Sequence, residues 1–371
     1  MTRPWRWDPC IAHSGAEVVN FINDYFAGKD RNVLVIAGAG FDPRAGVIST
    51  QLAAAGARLR GLFFQEIRPK PSTGLVSRAN NNASALTTAV PDHEIVPVEI
   101  FGTDLAVVGG RNVASFVGSQ TFEDITDVVV DVSALSVGTS FPTIRLLVER
   151  IQKGKGPPNL HLFVAHDPAL DGAIQTVASD SPGYVHGFKG GLTLDKFGGA
   201  AKLWLPQLAT GKRAALGRLH EFLTPHDTCP ILPFPARDPR LGDALAEEFL
   251  SELESAWSVD TRDIVYADEQ DPLDLYRTIL RLDDLRKPVF SEVGGSVLVL
   301  SPLGSKVMAL GALMAALERD LPVAYLEALG YDLDASVPTA ADSTHLVHIW
   351  LEGDAYPQPR PPLYNERTNA S

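Results

Sequence analysis

The sequence predicts an α/β protein with a doubly wound, mainly parallel sheet, and three observations support this fold class. Four short apolar runs rich in β-branched residues are each followed by a loop of Gly, Ser or Pro, a helical pattern and a second apolar run. The runs are continuously apolar, which is typical of parallel strands that are covered on both faces. Of the 371 residues, 45% are hydrophobic and 21% are charged, so the chain can bury a large core.

The four strand–loop–helix units share one order of elements. Their predicted strand, helix and second strand lie at 33–37, up to about 55 and 59–67; at 128–132, 143–152 and 160–165; at 202–205, 212–223 and 229–234; and at 296–300, 306–318 and 323–326. Further helices are predicted over 241–257 and 271–285. The stretch 69–91, which contains three consecutive asparagines, is predicted to be a long mobile loop.

This pattern predicts a Rossmann-like arrangement with a ligand site at one edge of the sheet. Right-handed crossovers place every strand–helix loop at the same edge, and ligands bind there at the point where strand order reverses. A division near residue 190 gives an N-terminal half over 1–190, a C-terminal half over 191–355 and a Pro-rich tail over 356–371, which is expected to be extended or disordered. The pattern leaves open whether the halves form one sheet or two.

The loop between the first predicted strand and helix contains Gly38, Gly40, Asp42 and Arg44. Glycines permit close approach of the backbone to a phosphate, and Arg44 can add a bidentate contact. Asp42 can bind a ribose hydroxyl, hold Arg44 or act as a base. The loop lacks the Gly-Lys-Ser/Thr ending of a Walker A motif and the third glycine of the dinucleotide motif. A simple tight turn, with Asp42 as helix cap and Pro43 as first helical residue, remains an alternative.

A second candidate loop, with Ser301, Gly304, Ser305 and Lys306, enters the helix of the fourth unit. Two hydroxyls, a glycine and a lysine at an electropositive helix start suit an anion. The alternative is that Lys306 is a solvated residue of the first helical turn.

The run Gly304-Ser305-Lys306, followed by Met308, resembles the strand–Gly-Gly-Thr-Lys–helix motif of the CARF superfamily. The resemblance covers about residues 296–327, with Leu303 in place of the first glycine and Ser305 in place of the threonine. It implies a Rossmann-like sensor of cyclic oligonucleotides in prokaryotic defence, acting as a homodimer or with a protein partner. No effector domain is recognisable in the sequence.

No pattern predicts a metal site or names a cofactor. The spacing of His220 and His226 is wrong for a zinc protease, and Pro225 interrupts the helix between them. Histidines an odd number of residues apart on one strand face opposite sides, which excludes His161 with His166 and His345 with His348. The acidic run 268–274 lacks the glycine of a calcium loop and is interpreted as a helix cap.

Asp131 ends the first strand of the second unit and is followed by four hydroxyl-bearing residues, which are Ser133, Ser136, Thr139 and Ser140. Hydroxyls beside a helix start can bind phosphate, but the interpretation as ordinary helix caps is favoured.

Charge and cysteine content limit the possible partners and compartment. The net charge of −13 argues against binding of bulk nucleic acid over a broad face. Two cysteines without metal-type spacing indicate free thiols in a reducing cytoplasm, and no apolar run reaches the roughly 20 residues of a membrane span. The N-terminus has no apolar segment of a signal peptide. The expected localisation is therefore cytoplasmic.

Three functions fit these observations. The first is binding or sensing of a phosphate-bearing, nucleotide-type ligand, with Arg44 and Lys306 converging on one basic pocket. The second is an enzyme that acts on a nucleotide or phosphosugar, with Asp42 or Asp131 as base or metal ligand. The third is a scaffold subunit of a protein complex with an exposed apolar patch. That patch would contain Trp5, Trp7, Ile11 and Phe21.

Overall fold

The computed structural model describes residues 4–28, 30–69, 71–179, 181–190, 199–292, 294–333, 344–358, 360–361 and 363. The chain divides into two compact units. The first unit comprises residues 7–177 and 329–360, and the second unit comprises 1–6, 178–328 and 361–371. This partition differs from the expected halves 1–190 and 191–355, because the chain passes to the second unit after residue 177 and segment 329–360 returns to the first. Most of the tail 356–371 lies outside the described residues.

Strands and helices alternate along the chain. Up to residue 178 they are β1 (Ile11–Ser14), α1 (Ala16–Phe21), a π-helical turn (Ile22–Phe26), β2 (Asn32–Gly38), α2 (Val47–Ala54), β3 (Arg58–Ile67), α3 (Thr73–Ala89), β4 (His93–Glu99), α4 (Gly109–Ser119), β5 (Asp127–Asp131), α5 (Val137–Gln152), β6 (Asn159–His166), α6 (Pro168–Ala173) and β7 (Ile174–Ala178). The following elements are β8 (Gly183–Tyr184), β9 (Ala201–Pro206), α7 (Arg213–Leu223), β10 (Asp227–Thr228), β11 (Ile231–Pro233), α8 (Leu241–Glu248), a second π-helical turn (Glu252–Ala256), a 3-10 turn (Thr261–Asp263), β12 (Val265–Ala267), α9 (Pro272–Phe290), β13 (Ser296–Ser301), α10 (Lys306–Arg319) and β14 (Ala324–Tyr325). The chain ends with β15 (Ala328–Leu333) and β16 (His345–Glu352).

The first unit contains a seven-stranded sheet in the order β1-β16-β6-β5-β2-β3-β4. Strands β2 to β6 are parallel, whereas β16 and β1 pair in antiparallel fashion at one edge. Numbered by their position in the chain, the parallel strands follow the order 3-2-1-4-5 across the sheet. This is the doubly wound, Rossmann-like order, and it reverses between β2 and β5. The predicted fold class is thereby confirmed.

Apolar side chains on both faces explain why these strands lie inside the sheet. All five residues of β5 and all eight of β6 are buried. One face of β2 packs into a core cluster with α2 and the N-terminal helix, in which Val35, Ile48 and Phe26 are fully buried. A strand that alternates apolar and polar residues could not be covered on both faces without burying unpaired polar groups.

The second unit repeats the same strand order in smaller pieces. Its parallel sheet runs β10-β9-β13, while β11 pairs with β12 and β14 pairs with β8. Single bridges connect Gln207 with Ile231 and Leu300 with Val323. Since β10 and β11 follow one path interrupted at Cys229 and Pro230, the order by chain position is again 3-2-1-4-5. The sequence left the number of sheets open. The structure has a seven-stranded sheet in the first unit, and in the second unit a three-stranded sheet flanked by two strand pairs.

Residues 69–91 are not the long mobile loop predicted from their composition, because most of them form α3. Ser72 caps this helix by accepting a hydrogen bond from Leu75 N (3.3 Å). Leu75 and Leu86 are buried along one side of the helix. Asparagine is a weak helix former in isolation, but tertiary packing of an amphipathic face overrides that propensity.

The N-terminal apolar residues do not form the exposed patch expected for a scaffold subunit. Trp7 is fully buried in the first unit, where its Nε1 donates to Leu351 O at 2.7 Å. Phe21 stacks on His13 and His348. In the second unit, Trp5 donates from Nε1 to Asp284 Oδ2 at 3.0 Å. Trp7 therefore belongs to the interior of the first unit, whereas Trp5 and Phe21 are half-buried and pack on residues of their own units.

Gly311 marks a close contact between α10 and α9 that provides a test of packing in the second unit. A Cβ at Gly311 would lie 2.3 Å from Pro272 O and 3.1 Å from Leu275 Cβ. We expect Gly311→Ala to lower the free energy of unfolding by about 1–3 kcal/mol, because backbone rather than a flexible side chain must move. The control is Gly217→Ala within α7, where a Cβ meets no described atom within 4 Å. That variant should be stabilised by about 0.5–1 kcal/mol. Equal effects in urea denaturation would contradict this assignment.

Among the described helices, none combines the length and the apolar character that a membrane crossing requires.

Candidate functional site

The switch point of the first unit lies where the loop after β2 meets the loop after β5. Gly38 is required there, since a Cβ would lie 2.7 Å from Ala134 O. Gly40 differs, because a Cβ at this position would meet no described atom within 4 Å. Of the two predicted glycines, Gly38 therefore permits close packing of the two loops, and Gly40 borders open space.

Arg44 forms a buried ion-pair network with two carboxylates. Its backbone N and its Nε each donate to Asp42 Oδ1 at 2.9 Å, and its Nη2 donates to Asp42 Oδ2 at 2.7 Å. Its Nη1 donates to Asp171 Oδ1 of α6 at 2.8 Å. Burial by itself would lower the pKa of Arg44, which is only 1% exposed, but the charges of Asp42 and Asp171 outweigh burial and raise that pKa. Arg44 therefore stays charged.

This network decides among the roles that the sequence left open for Asp42. Both of its carboxylate oxygens are bound to Arg44, so Asp42 holds the arginine. The helix-cap alternative does not apply, because α2 begins only at Val47 and Gly46 stands before it. A phosphate contact by Arg44 stays a prediction, and it would have to share the guanidinium with two carboxylates.

Asp131 lies at the carboxyl end of β5 and is almost fully buried. Its Oδ1 accepts hydrogen bonds from Ser133 N (2.9 Å) and from Ser133 Oγ. Its Oδ2 is buried and has no hydrogen-bond partner in the part of the chain that the structure describes. Burial, together with the charge of Asp42, raises the pKa of Asp131 to about 7, although the hydrogen bonds from Ser133 and the charge of Arg44 oppose the shift. Near neutral pH this carboxyl is therefore poised between its two protonation states.

The N-terminus of α5 is already occupied by a carboxylate of the protein itself. Glu66 of β3 accepts hydrogen bonds from Ser136 N at 2.9 Å and from Thr139 Oγ1 at 2.6 Å. Its other oxygen accepts from Arg68 Nη2 at 2.7 Å. Burial would raise the pKa of Glu66, but Arg68 and these hydrogen bonds outweigh it and lower that pKa. An anionic ligand at this helix start would have to displace Glu66.

Glu66 is a residue that sequence reasoning did not identify. It lies 70 residues before Ser136, and only the parallel pairing of strands brings the two together. Ser136 stands at the N-cap position of α5, but its side chain makes no capping hydrogen bond to the helix. Its backbone N and Thr139 Oγ1 bind Glu66 instead.

The loop after β2 is held by α3 and carries an aromatic contact. Asn82 Nδ2 donates to Gly40 O and to Asp42 O, each at 2.8 Å. Half-buried Phe41 packs on Tyr331 of β15, with ring centroids 4.9 Å apart. The guanidinium of Arg68 lies 5.1 Å from the centre of the Tyr331 ring. The wall of the site thus includes two aromatic rings next to the Asp42 loop.

The second candidate loop lies at the switch point of the second unit, between β9 and β13. Ser301 Oγ accepts a hydrogen bond from Trp204 Nε1 at 2.9 Å. Ser305 caps α10 by accepting from Met308 N at 3.2 Å, and Lys306 is the first residue of that helix. The two hydroxyls predicted to bind a ligand therefore hold the loop itself.

Gln207 is the residue of this second loop region that sequence reasoning missed. Its Nε2 donates to Met308 O at 3.1 Å, and a Cβ at Gly304 would lie 2.9 Å from its Oε1. Lys306 belongs to the second unit and Arg44 to the first. Their convergence on one pocket stays a prediction.

Among the described His, Cys, Asp and Glu side chains, no group of three or more could hold a metal ion. His166, at the end of β6, contacts Asp171 with 3.8 Å between Nδ1 and Oδ2. At the switch point, Asp42 and Asp171 form ion pairs with Arg44.

Comparison with known proteins assigns the chain to no family. No protein-family model and no curated protein sequence matches the chain. One similar solved structure is a triple mutant of a deacetylase involved in the teicoplanin biosynthetic pathway, with 13% identity and a TM-score of 0.25 over 41% of this chain and 73% of that one. Another is an uncharacterized protein from Listeria monocytogenes serotype 4b, with 14% identity and a TM-score of 0.20 over 45% of this chain and 60% of that one. Similarities of this size do not bear on function.

Proposed function

We propose that the protein binds a nucleotide-type small molecule at the switch point of the first unit, where Asp131 accepts hydrogen bonds from hydroxyl or amino groups of the ligand. The observation that carries this proposal is the buried Oδ2 of Asp131, which lacks a partner in the described part of the chain. In doubly wound folds the crevice at the switch point is the usual ligand position.

Energetics favour a ligand with hydrogen-bond donors at this position. An unpaired buried carboxylate oxygen is costly, and two changes relieve it, which are protonation and a hydrogen bond from a bound molecule. A ribose diol supplies O–H donors of the required kind. Since Oδ2 is buried, the ligand reaches it only when the loop after β2 or β5 shifts.

The carboxylates around Asp131 favour contact with the uncharged ribose or base of a nucleotide over contact with its phosphate. Asp42, Asp171 and Asp131 face a single arginine, Arg44, so the local balance is acidic. A phosphate group would be repelled here and would lie nearer to Gly40, where the backbone borders open space. The rings of Phe41 and Tyr331 offer a surface on which a base can stack.

The experiment is isothermal titration calorimetry with adenosine, AMP, cyclic tetra-adenylate and NAD. We expect adenosine or its phosphates to bind the wild type, and Asp131→Asn to weaken binding by at least tenfold. Phe41→Ala should weaken it by about tenfold, because a stacked base contributes about 1–3 kcal/mol. The control Phe116→Ala removes a partly exposed ring of α4 in the same unit and should leave the affinity unchanged.

The pH dependence of binding gives an independent outcome. A ligand donor needs the ionised carboxylate, so the affinity should fall by about tenfold per pH unit below pH 7 and be constant above it. Absence of binding for every probe, or equal affinities of wild type and Asp131→Asn, would contradict the proposal.

A second function, acid–base catalysis on the same ligand class, is favoured by the pKa of Asp131 near 7, which suits a general base at neutral pH. In that case Asp131→Asn abolishes turnover while binding is largely retained. The wider role of a sensor in prokaryotic defence, acting as a homodimer or with a protein partner, is proposed on the resemblance of residues 296–327 to the CARF superfamily alone.

A further inference from the structure

Three histidines and an aspartate form a continuous hydrogen-bonded row across four neighbouring strands of the first unit. His13 Nδ1 of β1 lies 2.9 Å from His348 Nδ1 of β16. His348 Nε2 lies 3.0 Å from His161 Nδ1 of β6. His161 Nε2 lies 3.2 Å from Asp127 Oδ1 of β5. None of the four residues of this histidine row belongs to the ligand site, although Asp127 and Asp131 lie at opposite ends of β5.

Burial separates the two ends of the histidine row. His161 and His348 are fully buried, whereas His13 on the edge strand is half-buried. The ring of Phe21 lies over the row, with its centroid 4.3 Å from His348 and 4.6 Å from His13. Solvent therefore reaches the row at His13 and not at the two inner rings.

Counting protons fixes the tautomer of every ring in the neutral row. The ionised Asp127 accepts, so His161 carries its proton on Nε2 and its Nδ1 is an acceptor. His348 must then donate from Nε2 and accept at Nδ1, and His13 must donate from Nδ1. Each contact between two imidazoles requires one bare nitrogen, so the intact row holds three ring protons or four. One additional proton fits, and its only free position is His13 Nε2.

We propose that the histidine row is a proton relay site, which takes up one proton from solvent at His13 Nε2 and transfers a proton to Asp127 at its other end. The proton adds to His13 Nε2, and the proton on His13 Nδ1 moves to His348 Nδ1. The proton on His348 Nε2 moves to His161 Nδ1, and the proton on His161 Nε2 moves to Asp127 Oδ1. Each ring ends neutral in the opposite tautomer, and Asp127 ends protonated.

Charged and titratable groups on every neighbouring element act on the two ends of the row. Glu17 of α1 attracts a proton to His13. At the other end, Tyr25 OH donates to Asp127 Oδ1 at 2.9 Å, and Arg31 Nη1 lies 3.6 Å from Asp127 Oδ2. Thr126 Oγ1 also donates to Asp127 at 2.6 Å, and the charge of Asp354 reaches His161.

These surroundings set the resting state of the histidine row. Burial lowers the pKa of His13, His161 and His348, so the rings are neutral at pH 7. Burial would raise the pKa of Asp127, but its hydrogen bonds, led by the one from His161, outweigh burial and lower it. Transfer of a proton to Asp127 removes the negative charge that pairs with Arg31. Proton uptake at His13 on the edge strand is therefore coupled to loss of this ion pair.

The test is nuclear magnetic resonance of the full chain with 15N-labelled histidines. At pH 8 we expect an Nε2-H tautomer for His161 and His348 and an Nδ1-H tautomer for His13. On titration to lower pH the ring nitrogens of His13 and His161 should shift with one common midpoint. That midpoint should lie below pH 6.5, because burial lowers the pKa of the rings and the hydrogen bonds to Asp127 oppose its protonation. His348→Phe should abolish the response of His161, while the control His93→Gln, on β4, should leave it unchanged.

A second variant, His13→Gln, tests the proposal even if His348→Phe does not fold. It removes only the ring at the solvent-accessible end of the row. The response of His161 should be lost in this variant as well. If the hydrogen-bonded row only stabilises the fold, the chemical-shift response of His161 should not depend on His13. If His161 keeps its response in either variant, or if His13 and His161 titrate more than about one pH unit apart in the wild type, the relay is wrong.

Discussion

Replacing Arg44 with Met is expected to lower the free energy of unfolding by about 3–5 kcal/mol. The substitution leaves Asp42 and Asp171 without their buried cation, next to a third carboxyl group, Asp131. Removing one partner of a buried ion pair is strongly destabilising because an uncompensated buried charge remains. Neutralising the partner in the double variant Arg44→Met/Asp42→Asn should restore a large part of the loss.

The chain contains a matched control for this experiment. Asp260 and Arg262 repeat the geometry of Asp42 and Arg44, with bonds from Arg262 N (2.9 Å) and Nε (3.0 Å) to Asp260 Oδ1 and from Nη2 (2.8 Å) to Oδ2. The Arg262 side chain is 86% exposed, whereas that of Arg44 is 1% exposed. Arg262→Met should change stability very little, because water screens an exposed pair. Urea denaturation gives the free energy of unfolding of both variants. Hydrogen exchange of the β5 amides reports on the first unit, which contains Arg44. Comparable losses in both variants would mean that burial of the Arg44 network is not the cause.

Asp131 is expected to make the folded state less stable as pH rises. Below pH 4 the carboxyl is protonated in both folded and unfolded chains and has no effect. Between about pH 4 and 7 the unfolded chain releases the proton and the folded chain retains it, so the free energy of unfolding falls by about 1.4 kcal/mol per pH unit. Above pH 7 the accumulated loss stays near 4 kcal/mol.

Comparison of Asp131→Asn with the wild type isolates this contribution from other titrating groups. The amide keeps the acceptor for Ser133 and carries no charge at any pH. We expect the stability of the variant relative to wild type to increase by about 3 kcal/mol between pH 5 and pH 8. Asp92→Asn, at an exposed position, should show no such trend. Parallel pH profiles of Asp131→Asn and wild type would show that Asp131 ionises normally in the folded chain.

The histidine row acts in the opposite direction over part of the same pH range. Because the pKa values of His13, His161 and His348 are lowered in the folded chain, the unfolded chain binds protons more readily below about pH 6.5. Stability is therefore lost as pH falls through this range. The two effects oppose each other in the wild type, which is why single-site variants are needed to observe either.

The predicted strands of the four repeated units correspond to β2, β3, β5, β6, β9, β11, β13 and β14. Continuous runs of β-branched residues between glycine-rich loops favour parallel strands whose sheet is covered by helices on both faces. The helix α3 was missed because Asn80 and its neighbours have low helix propensity, and the buried Leu75 and Leu86 that stabilise it are spaced too far apart to form a clear period.

The candidate site was only partly accessible from the sequence. Gly38, Gly40, Asp42 and Arg44 lie within one short loop, so their proximity could be read locally. The raised pKa of Asp131 and the role of Glu66 could not, because the first depends on burial by the whole unit and the second on contacts with a distant segment. Composition cannot reveal that two carboxylates balance the charge of Arg44, since Asp171 comes from a helix 127 residues further along the chain.

By itself the sequence determined the doubly wound fold class and the position of the two loops at strand ends, because local hydrophobic pattern and turn chemistry act over a few residues. Only the tertiary structure decided the strand order 3-2-1-4-5 in each unit, the return of β16 to the first sheet and the proton-linked row formed by His13, His348, His161 and Asp127. These features follow from long-range strand pairing and from burial. Burial shifts the pKa of Asp131 and the histidines and makes ion pairs obligatory, and it depends on how the whole chain packs.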